Sequence, residues 1–598
     1  MFQNYTPTTR PEDGPPRLAA LRDHLTEQGL DGFLVPRADA HQGEYVTPRD
    51  ERLSWLTSFT GSAGFAAVLP DVAGVFVDGR YRVQVKAQVA EDYTPVDWPE
   101  VKLADWLIEA MPGGGVVGFD PWLHTPAEIA KLETALTPHQ ISLRPVANAV
   151  DAIWEDRPDR PDAPAKPYPE ARAGRSSAEK RADIAEALHR DGAQAAVLTL
   201  PDSINWLLNI RGGDLNHLPV MQAFAIVDAG GAVQVFTDTE KLAGVALDGD
   251  VTLADWTEFG AALAGLKGPV RVDPNTAPQA VFHALEEAGI EIQKAPDPCL
   301  IPKARKTEAE IAGTSEAHLR DGAAVTRLLH WFDMEAPKGH LTEIDVAKQL
   351  ETFRMQTGAL KDISFDTIAG AGPNGAIVHY RVTEDTNAPV IPGQLFLIDS
   401  GAQYEDGTTD ITRTLPVGDI GAEEPTCFTL VLKGMIAIHR ARFPKGVAGA
   451  HLDALARAPL WATGRDYDHG TGHGVGVYLS VHEGPQRLAR SGTVPLEPGM
   501  ILSNEPGYYR EGAFGIRIEN LIHVVEAPEG ADAHREMLAF ETLTFAPIDR
   551  RLIDTGMLGP EERAWLNAYH AEVAAKLTPR LQDHPDTAEW LRAACAPV

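Results

Sequence analysis

Asp468-His-Gly-Thr-Gly-His473-Gly-Val-Gly476 decides how the C-terminal third of this chain is read. Glycines at 470, 472, 474 and 476 flank His473. Residues without a Cβ let neighbouring backbones approach closely. An imidazole placed among them can reach a metal between two sheets. Downstream, Met500-Ile-Leu502 runs into Ser503-Asn-Glu505, and Glu519 lies between Ile518 and Leu521. Gly507, Gly512 and Gly515 separate these two glutamates, a hairpin-like signature. Upstream, Leu395-Phe-Leu-Ile398 ends on Asp399, and Asp410 opens Asp410-Ile-Thr-Arg-Thr414. Two strands joined across Gly401 and Glu405-Asp-Gly407 would bring Asp399 and Asp410 to one side of a sheet.

Asp399, Asp410, His473, Glu505 and Glu519 therefore form a candidate ligand set of four carboxylates and one imidazole. Such an oxygen-rich set suits hard divalent ions such as Mn²⁺ better than a thiolate-type zinc site. Four carboxylates balance two divalent cations in charge. Taken singly, an aspartate before Ser-Gly reads as a turn and a glutamate on a strand as a solvated edge; the joint pattern carries the metal reading.

The rest of the chain frames this set. At 598 residues it exceeds a single core, and its length predicts three to four domains. A net charge of −32 opposes nonspecific binding to nucleic acid or to anionic membrane. Cys299, Cys427 and Cys595 are far apart, which argues against a disulfide framework and points to a reducing, cytoplasmic setting. The N-terminus lacks the apolar core of a signal peptide, and no apolar run approaches the roughly 18 residues that span a bilayer. Phosphate-loop, HExxH and GxSxG motifs are missing from the sequence.

The spacing predicts a helix from Leu18 to Gln28, strands at Gly32–Pro36 and Gly74–Asp78, and then a proline-rich linker at 159–175. A second α/β pattern follows, with a helix from Ser176 to Arg190 and strands at 195–200, 223–227 and 233–236. It hints at a duplicated fold. Amphipathic helix follows to about Phe332, and a last helix, roughly Gly559 to Leu577, closes the chain.

With these segments in view, the chain resembles the pita-bread metallopeptidases, and within them the long three-domain aminopeptidase P family. The resemblance rests on Ser62-Ala-Gly64, Asp78-Gly-Arg-Tyr81, Ile153-Trp-Glu-Asp-Arg-Pro158 and Ile204-Asn-Trp-Leu-Leu-Asn-Ile-Arg-Gly-Gly-Asp214. It continues through Ala376-Ile-Val-His379-Tyr, the 468–476 stretch, Val481-His-Glu-Gly-Pro485, Ser503-Asn-Glu-Pro-Gly507 and Trp565-Leu-Asn-Ala-Tyr-His570. It implies an α/β and α+β architecture: a creatinase-like domain over 1–158, the linker 159–175, a second creatinase-like domain over 176–305, and a pita-bread catalytic domain over 306–598. It also implies a homodimer, two bound ions, commonly Mn²⁺, and removal of the first residue from peptides with proline second, by attack of a metal-bridging water. Asp399 would chelate one ion, Asp410 and Glu519 would bridge, and His473 and Glu505 would complete the other. Glu505 would double as general base, and His482 would donate to the oxyanion. His379 would shuttle a proton or contact the carbonyl. His469, Tyr509 and Arg517 would line the proline pocket or support the ligands. Two rivals remain: a prolidase limited to Xaa-Pro dipeptides, and a non-catalytic pita-bread protein that binds partners.

Overall fold

The structure, a computed structural model, describes residues 1–528 and 534–598. They divide into two compact units, one of Thr8–Lys303 and one of Met1–Pro7 with Ala304–Val598.

The first unit carries two six-stranded sheets built the same way. In the first, the spatial order is Thr94–Asp97, Ala73–Val77, Phe65–Val68, Gly32–Pro36, Gly115–Phe119, Ile141–Pro145. The second runs Val251–Ala254, Val233–Phe236, Phe224–Asp228, Ala195–Leu198, Val270–Val272, Ile292–Lys294. Each has the same succession of pairings from the outer edge, namely parallel, antiparallel, antiparallel, parallel, parallel. The duplication hinted at by the alternating pattern is thus one of topology. The helices behave as expected: Gly14–Glu27 buries Leu18, Leu21 and Leu25, and Ser177–Asp191 starts on a Ser176–Glu179 capping box. The strand expected to reach residue 200 stops at Leu198, because Pro201 opens the helix Pro201–Leu207. Within the proline-rich linker only Lys166–Pro167 forms a strand, paired with Ile210–Arg211.

The second unit is mainly antiparallel. Two helix pairs, Glu308–Glu335 with Glu343–Met355 and Glu423–His439 with Gly449–Trp461, pack over its strands. One sheet joins Ile368–Ala371, Gln394–Ser400 and Ile411–Val417. A six-stranded sheet contains, among others, Gly472–Gly474, Glu483–Leu488, Ile501–Asn504 and Asn520–Glu526. A two-stranded ribbon, Gly507–Arg510 with Phe514–Arg517, lies between Glu505 and Glu519 in sequence. Leu328, Phe332, Leu350, Phe396 and Ile398 share one core, and Val431, Met435, Ile516, Leu566 and Leu591 another.

Two features go beyond the sequence reading. The chain does not close on a single helix: Pro560–Leu577 is followed by Pro585–Ala594, with Pro585 in the first turn. The first residues join the second unit, where Gln3 exchanges two hydrogen bonds with Thr367 and the Glu384 N–H donates to the Tyr5 carbonyl. Among the described residues no helix is long and apolar enough to cross a membrane.

Candidate metal centre

Five short segments converge from the strands just described. Asp399 sits near the end of its strand, in register with Thr412 on the neighbouring strand, and Asp410 immediately precedes that neighbour. The eleven-residue spacing is spanned by a small hairpin, Ala402–Tyr404 with Gly407–Thr408, that belongs to a different sheet. His473 lies in the middle of Gly472–Gly474. A Cβ on Gly472 would come 2.0 Å from the Ser503 carbonyl oxygen, and one on Gly474 would come 2.3 Å from that of Glu483. These two glycines let the histidine strand lie against its neighbours. The Glu505 N–H donates to the Thr471 carbonyl, which fixes Glu505 beside it.

Three groups of donor atoms result, each with its atoms within 4.8 Å of one another: Asp399, Asp410 and Glu519; His473, Glu505 and Glu519; and Asp410, His473 and His482. Glu519, Asp410 and His473 each belong to two groups, so the groups describe adjacent positions. The His473 Nδ1–H donates to the Gly474 carbonyl at 2.9 Å, which turns Nε2 towards Asp410 Oδ2 at 3.5 Å and Glu505 Oε1 at 3.4 Å. A backbone acceptor on one ring nitrogen is the arrangement that orients a metal-binding imidazole. The His482 ring meets that of His473 edge to face, 4.4 Å between centroids.

The electrostatics are those of several acids buried side by side. Burial pushes Asp399 up to about 7, against the pull of Arg517 and with further push from Asp410 and Glu505. Burial also raises Glu505 and, with the neighbouring acids, lifts Glu519 well above the usual carboxylate range. For His473 burial opposes protonation, but the carboxylates of Asp410 and Glu505 raise it to about 9. Asp399 Oδ1 is buried with no hydrogen-bond partner. An orphaned buried carboxylate oxygen beside three more acids fits a bound cation.

Around this cluster the other expected residues fall into place unevenly. Arg517, 1% exposed, donates from Nη2 to Asp399 Oδ2 at 2.7 Å and from Nη1 to the Tyr509 hydroxyl at 2.6 Å. Tyr509 is in turn 2.8 Å from His469 Nε2, whose Nδ1–H donates to the Gly470 carbonyl. With that tautomer the Tyr509 O–H donates to Nε2, so His469, Tyr509 and Arg517 form one chain ending on Asp399. His379 is half-buried in the turn after the 3₁₀ helix Gly372–Ala376, and no candidate ligand group among the described residues includes it. That helix packs on the strand of Arg517, where a Cβ on Gly515 would overlap the Gly375 carbonyl.

Residues to which the sequence reading gave no role also contribute. The Thr412 hydroxyl donates to Glu519 Oε2 at 2.8 Å and accepts from Arg517 Nε at 3.2 Å, so it ties an acid to the arginine. Its position two residues beyond Asp410 was the available signal. Arg457 donates to the carbonyls of Tyr467 and His469 and to Asp453 Oδ2, while the Thr471 hydroxyl donates to Asp453 Oδ1. This holds the glycine-rich segment from its far side.

Comparison with known proteins accords with this geometry. Residues 312–526 match the metallopeptidase family M24 and 536–598 the C-terminal region of that family. Residues 17–153 and 156–310 each match a creatinase/prolidase N-terminal domain. The chain is 39% identical over 627 residues to Aminopeptidase P2 of Arabidopsis thaliana, covering 96% of this chain and 87% of the relative. It is 38% identical over 613 residues to a probable Xaa-Pro aminopeptidase P of Aspergillus fumigatus, covering 97% and 92%. Among solved structures it superposes on the X-prolyl aminopeptidase of Caenorhabditis elegans, described as a cytosolic enzyme with a di-nuclear active site. The TM-score is 0.92 at 33% identity, covering 98% of this chain and all of that one. With two creatinase-type domains ahead of an M24 catalytic domain, the chain belongs to the aminopeptidase P family of M24 metallopeptidases.

Proposed function

We propose that this protein is a dinuclear metal-dependent aminopeptidase that removes the first residue from peptides with proline in the second position. The observation that carries the reading is the pair of donor groups, Asp399–Asp410–Glu519 and His473–Glu505–Glu519, that share one carboxylate. In this reading Asp399, Asp410, His473, Glu505 and Glu519 would together hold the two ions, with Glu519 common to both groups. Two divalent ions bound there would make a water acidic enough to attack near neutral pH and would polarise the scissile carbonyl.

The chain's own residues do the rest. Glu505, raised by burial, takes a proton from the attacking water as the new C–O bond forms. When the C–N bond breaks, that proton goes to the proline nitrogen, which has no hydrogen of its own in the Xaa-Pro amide. His482, packed edge to face on His473, donates to the carbonyl oxygen as it gains charge. His379 contacts the same carbonyl or passes the proton. Arg517 fixes Asp399 through two N–H groups, and Tyr509 and His469 fix Arg517 in turn. A free substrate α-amine meets Asp399, which restricts cleavage to the first residue. The fixed ring geometry of proline lets a shaped pocket reject ordinary peptides.

Manganese as the ion, a homodimer and a cytoplasmic location belong to the same proposal. The all-oxygen-and-imidazole donor set supports the first, and the cytosolic description of the nematode relative supports the last. The division into domains at 1–158, 176–305 and 306–598, with a linker at 159–175, is likewise proposed; the family matches end near 158 and 305, but the one over 156–310 takes in the linker. The test is a peptidase assay on an Xaa-Pro-Pro tripeptide with Mn²⁺ added or chelated. Release of the free first residue only with metal is expected. Cleavage of Xaa-Pro dipeptides alone would make the protein a prolidase.

A further inference from the structure

A buried ion pair lies behind the two aspartates, outside the ligand cluster. Arg354, on the helix Glu343–Met355, has no exposed surface, and Asp321, on Glu308–Glu335, is 3% exposed. The guanidinium donates to Asp321 in fork geometry, Nε to Oδ1 at 2.8 Å and Nη2 to Oδ2 at 2.9 Å. Its remaining N–H groups donate to main-chain carbonyls, Nη1 to Gly401 at 3.1 Å and Nη2 to Ser400 at 3.4 Å. Asp321 accepts twice more, from the Tyr404 hydroxyl and from the Thr409 hydroxyl, both at 2.9 Å. The Thr409 hydroxyl also accepts from the Ala402 N–H, and Ser364 donates to the Thr409 carbonyl.

Apart from the fork itself, all of these contacts fall on residues 400–409. Ser400 follows Asp399 and Thr409 precedes Asp410, so one carboxylate–guanidinium pair grips both ends of the segment between the two acids. An apolar filling would serve compactness as well, because replacing a buried ion pair by packed hydrophobic side chains is often neutral or stabilising. What an apolar filling cannot do is hold both ends of that segment by four directed hydrogen bonds.

We infer that Arg354 and Asp321 are positioning residues that set the spacing of Asp399 and Asp410 and thereby the affinity of the site for divalent cations. The inference rests on the reading of these aspartates as ligands. It is tested by calorimetric titration of the metal-free full-length protein with Mn²⁺ alone, alongside thermal unfolding. The double variant Arg354→Met with Asp321→Leu is expected to stay folded without metal, at a lower unfolding temperature because the Ser400 and Gly401 carbonyls and the Tyr404 and Thr409 hydroxyls lose their partners. Its Mn²⁺ affinity is expected to fall about 10- to 100-fold, the range for loss of groups that orient ligands. Thr409→Val removes one hydroxyl from the network and carries the test if the double variant does not fold; a several-fold loss is expected. Asp410→Ala, which removes a ligand, should bind far more weakly than either. Affinities of the double variant or Thr409→Val within twofold of the parent, with Asp410→Ala binding lost, overturn the positioning role alone. Parent-like binding by Asp410→Ala overturns the ligand reading and this inference with it.

Discussion

The first unit pairs some of its acids one by one with cations, whereas the second also gathers four acids at one point. In the first, the buried Asp214 meets Lys241 at 2.8 Å, and Arg52 forks onto Asp151. The periphery of the second does the same, with Asp453 against Arg457 and Glu483 against Lys306. At the centre of the second unit, Asp399, Asp410, Glu505 and Glu519 have one arginine among them, Arg517. A buried charge without a partner is costly. Paired acids therefore mark structure, and the unbalanced cluster marks a place where cations from outside complete the fold of the site.

This contrast can be broken from either side. Glu505→Gln keeps size and hydrogen bonding but cannot take a proton; turnover on an Xaa-Pro-Pro peptide should fall by about 10²- to 10⁴-fold with the unfolding temperature little changed. A loss below tenfold would remove Glu505 as base. Lys241→Ala should do the reverse. Burial already holds Asp214 above its usual range despite the lysine, so its loss leaves an uncompensated acid. Denaturant unfolding should show a loss of about 3–5 kcal/mol, with Mn²⁺ affinity unchanged. A smaller effect comes from His124, which burial pushes down to about 4. Its unfolded value is near 6.5, so as pH falls below that the unfolded chain binds the proton first. The stability this residue confers is complete above pH 6.5 and is lost towards pH 4, by at most about 1.4 kcal/mol per pH unit. Comparing unfolding free energies of the parent and His124→Gln from pH 7 to 5 should show that slope reduced in the variant.

The candidate site was largely legible because its residues sit in segments with strong local signatures: apolar strands ending in acids, and a histidine among glycines that only a close backbone approach requires. The alternating patterns of the first unit likewise located five of its strands to within two residues, and left the other seven strands of its two sheets unplaced. What supports the site was not legible. Arg354 and Asp321 lie on amphipathic helices where a charged residue reads as solvated, and they become partners only through a separation of 33 residues. Thr412 looks like any strand threonine until Glu519 and Arg517 arrive from more than 100 residues away. The attachment of residues 1–7 to the second unit depends on side-chain exchange with Thr367, for which Gln3 gives no local sign. Local periodicity reports which residues are buried; pairing among distant buried polar groups is decided by the fold.

Equilibrium dialysis of the full-length protein against Mn²⁺, followed by elemental analysis, tests the central claim most directly. Two ions per chain in the parent, and a clear reduction in Asp410→Ala, are the predicted result. Fewer than about one ion per chain at saturating metal would contradict a two-cation centre and favour a partner-binding role for the same fold.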